Sequence, residues 1–223
     1  MTELLAPGDV ISILRALADA EVVLIGGQAL NVWCERFARS DAQLSAFGPF
    51  TSRDVDIQAD RRAVEVVARR LSTKAVWPED FDATNTGYFV VRLGDIQVVV
   101  NALVSPYGVS REDAFDTAIP VAFDAVKIRV LHPVLCMESR FANVAGLGRT
   151  RPRDLQQARA SVVCVRSFLG EILDDGLRAK HSISSSVFSV SPDTTWVRKL
   201  FSVTTASTRS TALRQTRACR LSS

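Results

Sequence analysis

Apolar and polar positions change their period several times along the chain, and each change predicts an element. Residues 9–19 repeat apolar positions at helical spacing after Pro7-Gly8, which predicts a first helix with Asp9 as its N-cap. The run "EVVLI" that follows is short and β-branched, the pattern of a buried strand. It stops at Gly26-Gly27. Leu30, Trp33 and Phe37 then recur at helical spacing in "QALNVWCERFA", which places Trp33 and Phe37 in the core. A polar stretch from Asp41 to Pro49 reads as a loop, and "RRAVEVVARRL" as an amphipathic helix with Val64, Val67 and Leu71 on one face. "YFVVRL" and "DIQVVVNAL" flank Gly94-Asp95, a hairpin signal. "AIPVAF" and "VKIRVL" add one or two further strands. Pro133 opens a helix at its first turn, and beyond the basic loop "GRTRPR" a second long helix runs from Asp154 to about Leu173.

These elements predict an α/β layer over residues 1–130 and a helical subdomain over 131–178 packed on it. From residue 181 the chain carries 18 Ser/Thr in 43 residues with no sustained period, so residues 179–223 read as a poorly ordered Ser/Thr-rich basic tail. The formal net charge of +3 belongs to that tail. Residues 1–180 hold 21 basic and 23 acidic side chains, and residues 181–223 hold six and one. The folded body is therefore slightly acidic, and overall basicity is poor evidence that it binds nucleic acid. A nucleic-acid role for the tail is the functional alternative, against six sparse and unpatterned basic residues.

Cys34, Cys136, Cys164 and Cys219 are scattered without a C-x-x-C pair, which argues against zinc and against a disulfide framework. His132 and His181 make no imidazole metal pattern, so any metal here has oxygen ligands, as magnesium or manganese prefer. The N-terminal stretch carries Glu3 and Asp9 and lacks a signal-peptide pattern, and no apolar run is long enough to span a membrane. The expected location is the cytoplasm.

The chemistry concentrates in "FTSRDVDI". Asp54 and Asp56 are two apart in a strand-like run, so they point to one face. Like charges held that close resist ionising unless a cation or donor sits between them. A D-x-D pair suits divalent cations carrying a nucleotide's phosphates; the plain alternative is an edge strand with two solvated acids. Ser52 is placed to donate to a phosphate, while Arg53 alternates to the other face as a structural ion-pair partner. Upstream, strand, Gly26-Gly27 and helix form a turn whose backbone N–H groups would approach an anion at a helix N-terminus, or simply a tight turn.

Taken in order, "LIGGQALNVW…FTSRDVDI" resembles the nucleotidyltransferase fold of the DNA polymerase β superfamily. With "VLHPVLCMESRFANVAGL" it is similar to the small nucleotidyltransferases near the AbiEii-type toxins, over roughly residues 20–175. The resemblance implies a mixed sheet with flanking helices followed by a small helical subdomain. It implies that Gly26 and Gly27 cradle a triphosphate, and that Asp54 and Asp56 hold Mg2+ or Mn2+. It also implies a nucleoside triphosphate as donor, a protein, tRNA or small-molecule hydroxyl as acceptor, and a cognate antitoxin-like partner. The third carboxylate of such enzymes aligns with Asn101, on the strand face shared by Gln97 and Val99. Asparagine offers a carbonyl ligand but neither charge nor a general base.

Arg140, and less so Arg36, are arginines that would approach phosphates from their helices. Glu138 reads as solvent-facing, and Tyr88 and Phe89 as ordinary strand residues. Three readings follow. One is a metal-dependent nucleotidyltransferase, toxin-like by resemblance. The second is a nucleotide-binding relative impaired by Asn101. The third is an α/β protein whose acids only pair with Arg53 and Arg92.

Overall fold

The computed structural model describes residue 5 and residues 7–78, 84–123 and 126–183. The described residues up to Gly176 form one compact unit, and the packing below concerns it. The expectation of a poorly ordered tail lies almost wholly outside the described residues.

A single 3-10 turn over Pro7–Val10 leads into α1 (Ile11–Leu17). Then come β1 (Val23–Ile25), α2 (Gly26–Ala38), α3 (Ala42–Ser45), β2 (Val55–Gln58) and α4 (Arg61–Arg70). The hairpin β3 (Asn85–Leu93) and β4 (Ile96–Leu103) follows, then α5 (Arg111–Asp116), β5 (Ile119–Phe123) and β6 (Val126–Val130). Two helices close the series, α6 (Pro133–Gly146) and α7 (Pro152–Ile183). The six strands form one mixed sheet in the order β3-β4-β2-β1-β6-β5. Pairs β2–β4 and β1–β6 are parallel, and the other three are antiparallel. The chain is thus an α/β protein with a mixed sheet and flanking helices.

The core explains the order. β1 is buried along its whole length, because α2 packs on the sheet through Ala29, Leu30, Trp33 and Phe37, all fully buried. α4 adds Val64 and Val67 from its apolar face. Trp33 Nε1 donates to the Leu131 carbonyl at 2.8 Å, tying α2 to the β6–α6 junction. On the hairpin, Phe89, Val91, Val98, Val100 and Ala102 are buried, while Tyr88, Val90, Arg92, Gln97 and Val99 are exposed. One face of β3–β4 is therefore covered and the other open, as an antiparallel hairpin permits.

Three local expectations are corrected. Asp9 does not cap the first helix: it lies inside the 3-10 turn, and the capping position falls to Val10, without a side-chain bond. The turn begun at Pro7 runs straight into α1 and leaves no extended residue where a cap would act. The stretch 41–49 is not all loop. Asp41 accepts from Gln43 N and Leu44 N, starts α3 and buries Leu44, and its carboxylate receives Arg166 Nη2 at 2.6 Å and Ser167 Oγ at 2.9 Å. Those two donors lie more than 120 residues away, so no local pattern announces them. Helix α7 begins at Pro152 and continues to Ile183, because "DDGLRAKHSI" contains no proline and one glycine costs a helix only about 1 kcal/mol. "AIPVAF" and "VKIRVL" are two antiparallel strands.

Candidate functional site

The site forms where β1, β2 and β4 lie side by side. Antiparallel pairing sets Ile25 opposite Asp56, and parallel pairing sets Asp56 opposite Asn101. Opposed residues point to the same face, so the acid and the amide are placed together by register. Asp54 stands just before β2, and its carboxylate reaches the same spot. Asn101 Nδ2 donates to Asp56 Oδ1 at 3.1 Å and lies 3.5 Å from Asp54 Oδ2. Ser52, buried, lies with Oγ 3.4 Å from Asp54 Oδ1.

The glycine pair closes the other side. Gly26 has φ +67°, a left-handed conformation that ends β1 abruptly. A Cβ built there would lie 2.2 Å from Asp56 Oδ2, so glycine lets the carboxylate sit against the backbone. A Cβ at Gly27 would lie 2.4 Å from Ser52 Oγ. Both glycines occupy the first turn of α2, whose leading N–H groups have no intrahelical acceptor. Asp54, Asp56, Asn101, Ser52, Gly26 and Gly27 thus come together in one place.

Burial pushes the Asp56 carboxyl up from 3.8 to about 6, and the neighbouring Asp54 charge adds to it. The Asn101 hydrogen bond, Arg140 and Arg149 oppose that rise. Arg140, on α6, donates Nη1 to Gln157 Oε1 at 3.0 Å and lies near enough for its charge to act on Asp56. Gln157 in turn borders Gly27. Arg149, on the basic α6–α7 loop, and Gln157, on α7, are site neighbours that the sequence reading did not single out; the loop's basic composition was the available signal for Arg149.

Other candidates lie elsewhere. Arg36 pairs with Glu171 at 2.9 Å and stacks near Trp33 and Phe37, so it is occupied away from the acids. Arg53 is exposed, and neither it nor Arg92 forms an ion pair with Asp54 or Asp56 among the described residues. The reading in which those arginines neutralise the acids is therefore wrong: Asn101 occupies that position. Glu138 is exposed, as its pattern implied. His132 is a helix cap, its Nδ1 accepting from Val134 N at 3.2 Å, and burial pulls its pKa down to about 4. Cys34, Cys136 and Cys164 are buried free thiols; Cys219 lies outside the described residues.

No group of three His, Cys, Asp or Glu side chains that could hold a metal ion occurs among the described residues. The acid pair stands with an amide as its third member. The donor chemistry is of the kind a hard divalent cation accepts, for two carboxylates converge with an amide whose other atom is a carbonyl oxygen.

No protein-family model matches the chain, and no curated protein matches it in sequence. Among solved structures, an antigenic nucleotidyltransferase-like protein from Paracoccidioides brasiliensis is similar to this chain at 12% identity and a TM-score of 0.45. The likeness covers 84% of this chain and 97% of that one. No helix among the described residues is long and apolar enough to cross a membrane.

Proposed function

We propose that the chain is a nucleotidyltransferase that takes a nucleoside triphosphate and moves its nucleoside monophosphate to a hydroxyl. The observation that carries this reading is the convergence of Asp54 and Asp56 beside a Gly26-Gly27 helix start. An acid pair costs folding free energy unless something cationic arrives, and a helix N-terminus next to it is an anion site. A ligand that is both, a polyphosphate with a divalent cation, satisfies the two at once. Asp54 and Asp56 would hold Mg2+ or Mn2+, with Asn101 offering its Oδ1 after rotation of the amide. The metal would neutralise phosphate charge and favour in-line displacement.

The chain's own groups divide the remaining work. The N–H groups of the α2 first turn and Ser52 Oγ would hold the terminal phosphates, and Arg140 and Arg149 would add positive potential. The acceptor oxygen forms a bond to the α-phosphorus, the bond to the bridging oxygen breaks, pyrophosphate leaves, and the hydroxyl proton passes to water. Asn101 cannot take that proton, which supports a second reading: a nucleotide-binding relative with little turnover. A toxin-like role with an antitoxin-like partner rests on the sequence resemblance alone, carried by "QALNVW" and "VLHPVLCMESRFANVAGL".

The test is incubation of the purified chain with α-labelled nucleoside triphosphates, Mg2+ or Mn2+ and candidate acceptors. Transfer that disappears in Asp54→Ala and Asp56→Ala supports the enzyme. Metal-dependent nucleotide binding without transfer supports the second reading. No metal-dependent effect of any nucleotide on thermal stability sinks both.

A further inference from the structure

The open face of the β3–β4 hairpin continues directly from the acid site. Asp56, Asn101 and Tyr88 are register partners across β2, β4 and β3, and Val76 pairs with Tyr88 in an isolated bridge at the edge. Val90 and Val99 are opposed in the adjacent row of the same face. Val76, Tyr88, Val90 and Val99 are 43%, 38%, 38% and 37% exposed, so an apolar strip runs from the amide of Asn101 to the sheet edge. What makes the strip informative is its place, running out from the candidate site to the sheet edge.

Its position relative to the glycines matters most. In-line displacement puts the attacking oxygen and the leaving pyrophosphate on opposite sides of the α-phosphorus. Gly26 and Gly27 follow β1, and Tyr88 lies on β3. The order β3-β4-β2-β1 sets them on opposite sides of the strand that leads from Asp54 into Asp56. If the terminal phosphates lie at the glycines, the acceptor enters over β4 and β3. This inference rests on the transferase reading above.

We propose that this strip is the acceptor subsite, that Tyr88 is its specificity-determining residue, and that the acceptor is a Ser, Thr or Tyr hydroxyl of a protein segment flanked by apolar side chains. A tyrosine among valines is the composition of a protein contact core, where aromatic residues are enriched and charged residues depleted. A single strand of nucleic acid needs a basic groove, and Arg92 is the only cation on the hairpin's open face. A polyhydroxylated sugar would leave the valines facing water.

The probes are synthetic Ser, Thr and Tyr peptides with Leu/Val flanks or with Gly/Glu flanks, together with total tRNA and a polyhydroxylated sugar. Each is incubated with the full chain, α-labelled nucleoside triphosphates and Mn2+. Peptide binding is read in parallel from the backbone amide resonances of Tyr88, Val90 and Val99. The expected result is at least tenfold greater labelling of apolar-flanked peptides, with shifts at those three residues, and a peptide KM raised at least tenfold in Tyr88→Ser. Labelling of tRNA or sugar in preference to peptide overturns the proposal, as does a chain that binds nucleotide yet neither labels nor binds the apolar-flanked peptides. If Tyr88→Ser also loses nucleotide-dependent thermal stabilisation, Tyr88 acts through the nucleotide site and the specificity role is wrong. Failure of the unaltered chain to bind nucleotide removes the transferase reading and this one with it.

Discussion

The side-chain amide of Asn101 donates to Asp56 Oδ1 at 3.1 Å and points at Asp54 Oδ2 from 3.5 Å, standing between two carboxylates where a third would be the resemblance's expectation. The amide supplies a donor to each acid without adding charge. With no cation present, that donor offsets part of the repulsion between the two acids.

Asn101→Asp should reverse that balance. Three carboxylates would crowd one point, and the metal-free chain should lose about 1–3 kcal/mol at neutral pH. Mg2+ should restore the loss and raise the melting temperature more than it does for the unaltered chain. Thermal unfolding of both chains with and without MgCl2 is the measurement; an equal metal response in the two would show that residue 101 does not share the cation site. Where transfer is measurable, the same variant should gain at least tenfold in rate, since one anion and one base are returned.

Burial of Asp56 should give the fold a pH dependence. Its carboxyl is raised from 3.8 to about 6 in the folded chain, so between those values the folded form holds a proton that the unfolded form has released. Stability contributed by this group therefore falls as pH rises through that window, by up to about 3 kcal/mol. Asp56→Asn should remove that slope and stabilise the metal-free chain at pH 7. Urea midpoints at pH 5 and pH 7.5 test it, and a slope that survives the substitution would place the titration elsewhere.

The two glycines should respond unequally. Gly26→Ala puts a side chain at φ +67° and a methyl against Asp56 Oδ2. The backbone alone costs about 1–2 kcal/mol, and the carboxylate must also move. Gly27→Ala meets chiefly the Ser52 side chain, whose hydroxyl can rotate away, on a backbone already helical. Chemical denaturation should find Gly26→Ala the more damaging by at least 1 kcal/mol, with nucleotide-dependent stabilisation weakened in both.

Trp33→Phe removes a hydrogen bond and part of a buried ring together. The Leu131 carbonyl loses the indole donor at 2.8 Å and stays buried, and the smaller ring leaves a cavity in the core. The expected cost is about 2–5 kcal/mol. A midpoint unchanged in guanidinium titration would mean that the β6–α6 junction finds another donor.

The readability of the chain follows the range of its interactions. Hydrophobic period located the strands and main helices because a strand buries every second residue and a helix every third or fourth, whatever lies across from them. Gly26-Gly27 marked a turn, and the spacing of Asp54 and Asp56 put two charges on one face, before any partner was known. Cross-strand register is set by packing of the whole sheet. The resemblance had aligned Asn101 with a third acid; the register set its amide against Asp54 and Asp56, left Arg53 and Arg92 without a place beside them, and laid Tyr88 on the same row. Asp41 was legible as a turn residue, yet its hold on Arg166 and Ser167 was not, because the contact closes more than 120 residues of chain. By itself the sequence determined which residues repel, which turn and which bury. Tertiary structure decided which of them meet, because hydrogen bonding and desolvation act only over a few ångströms and chain distance carries no information at that range.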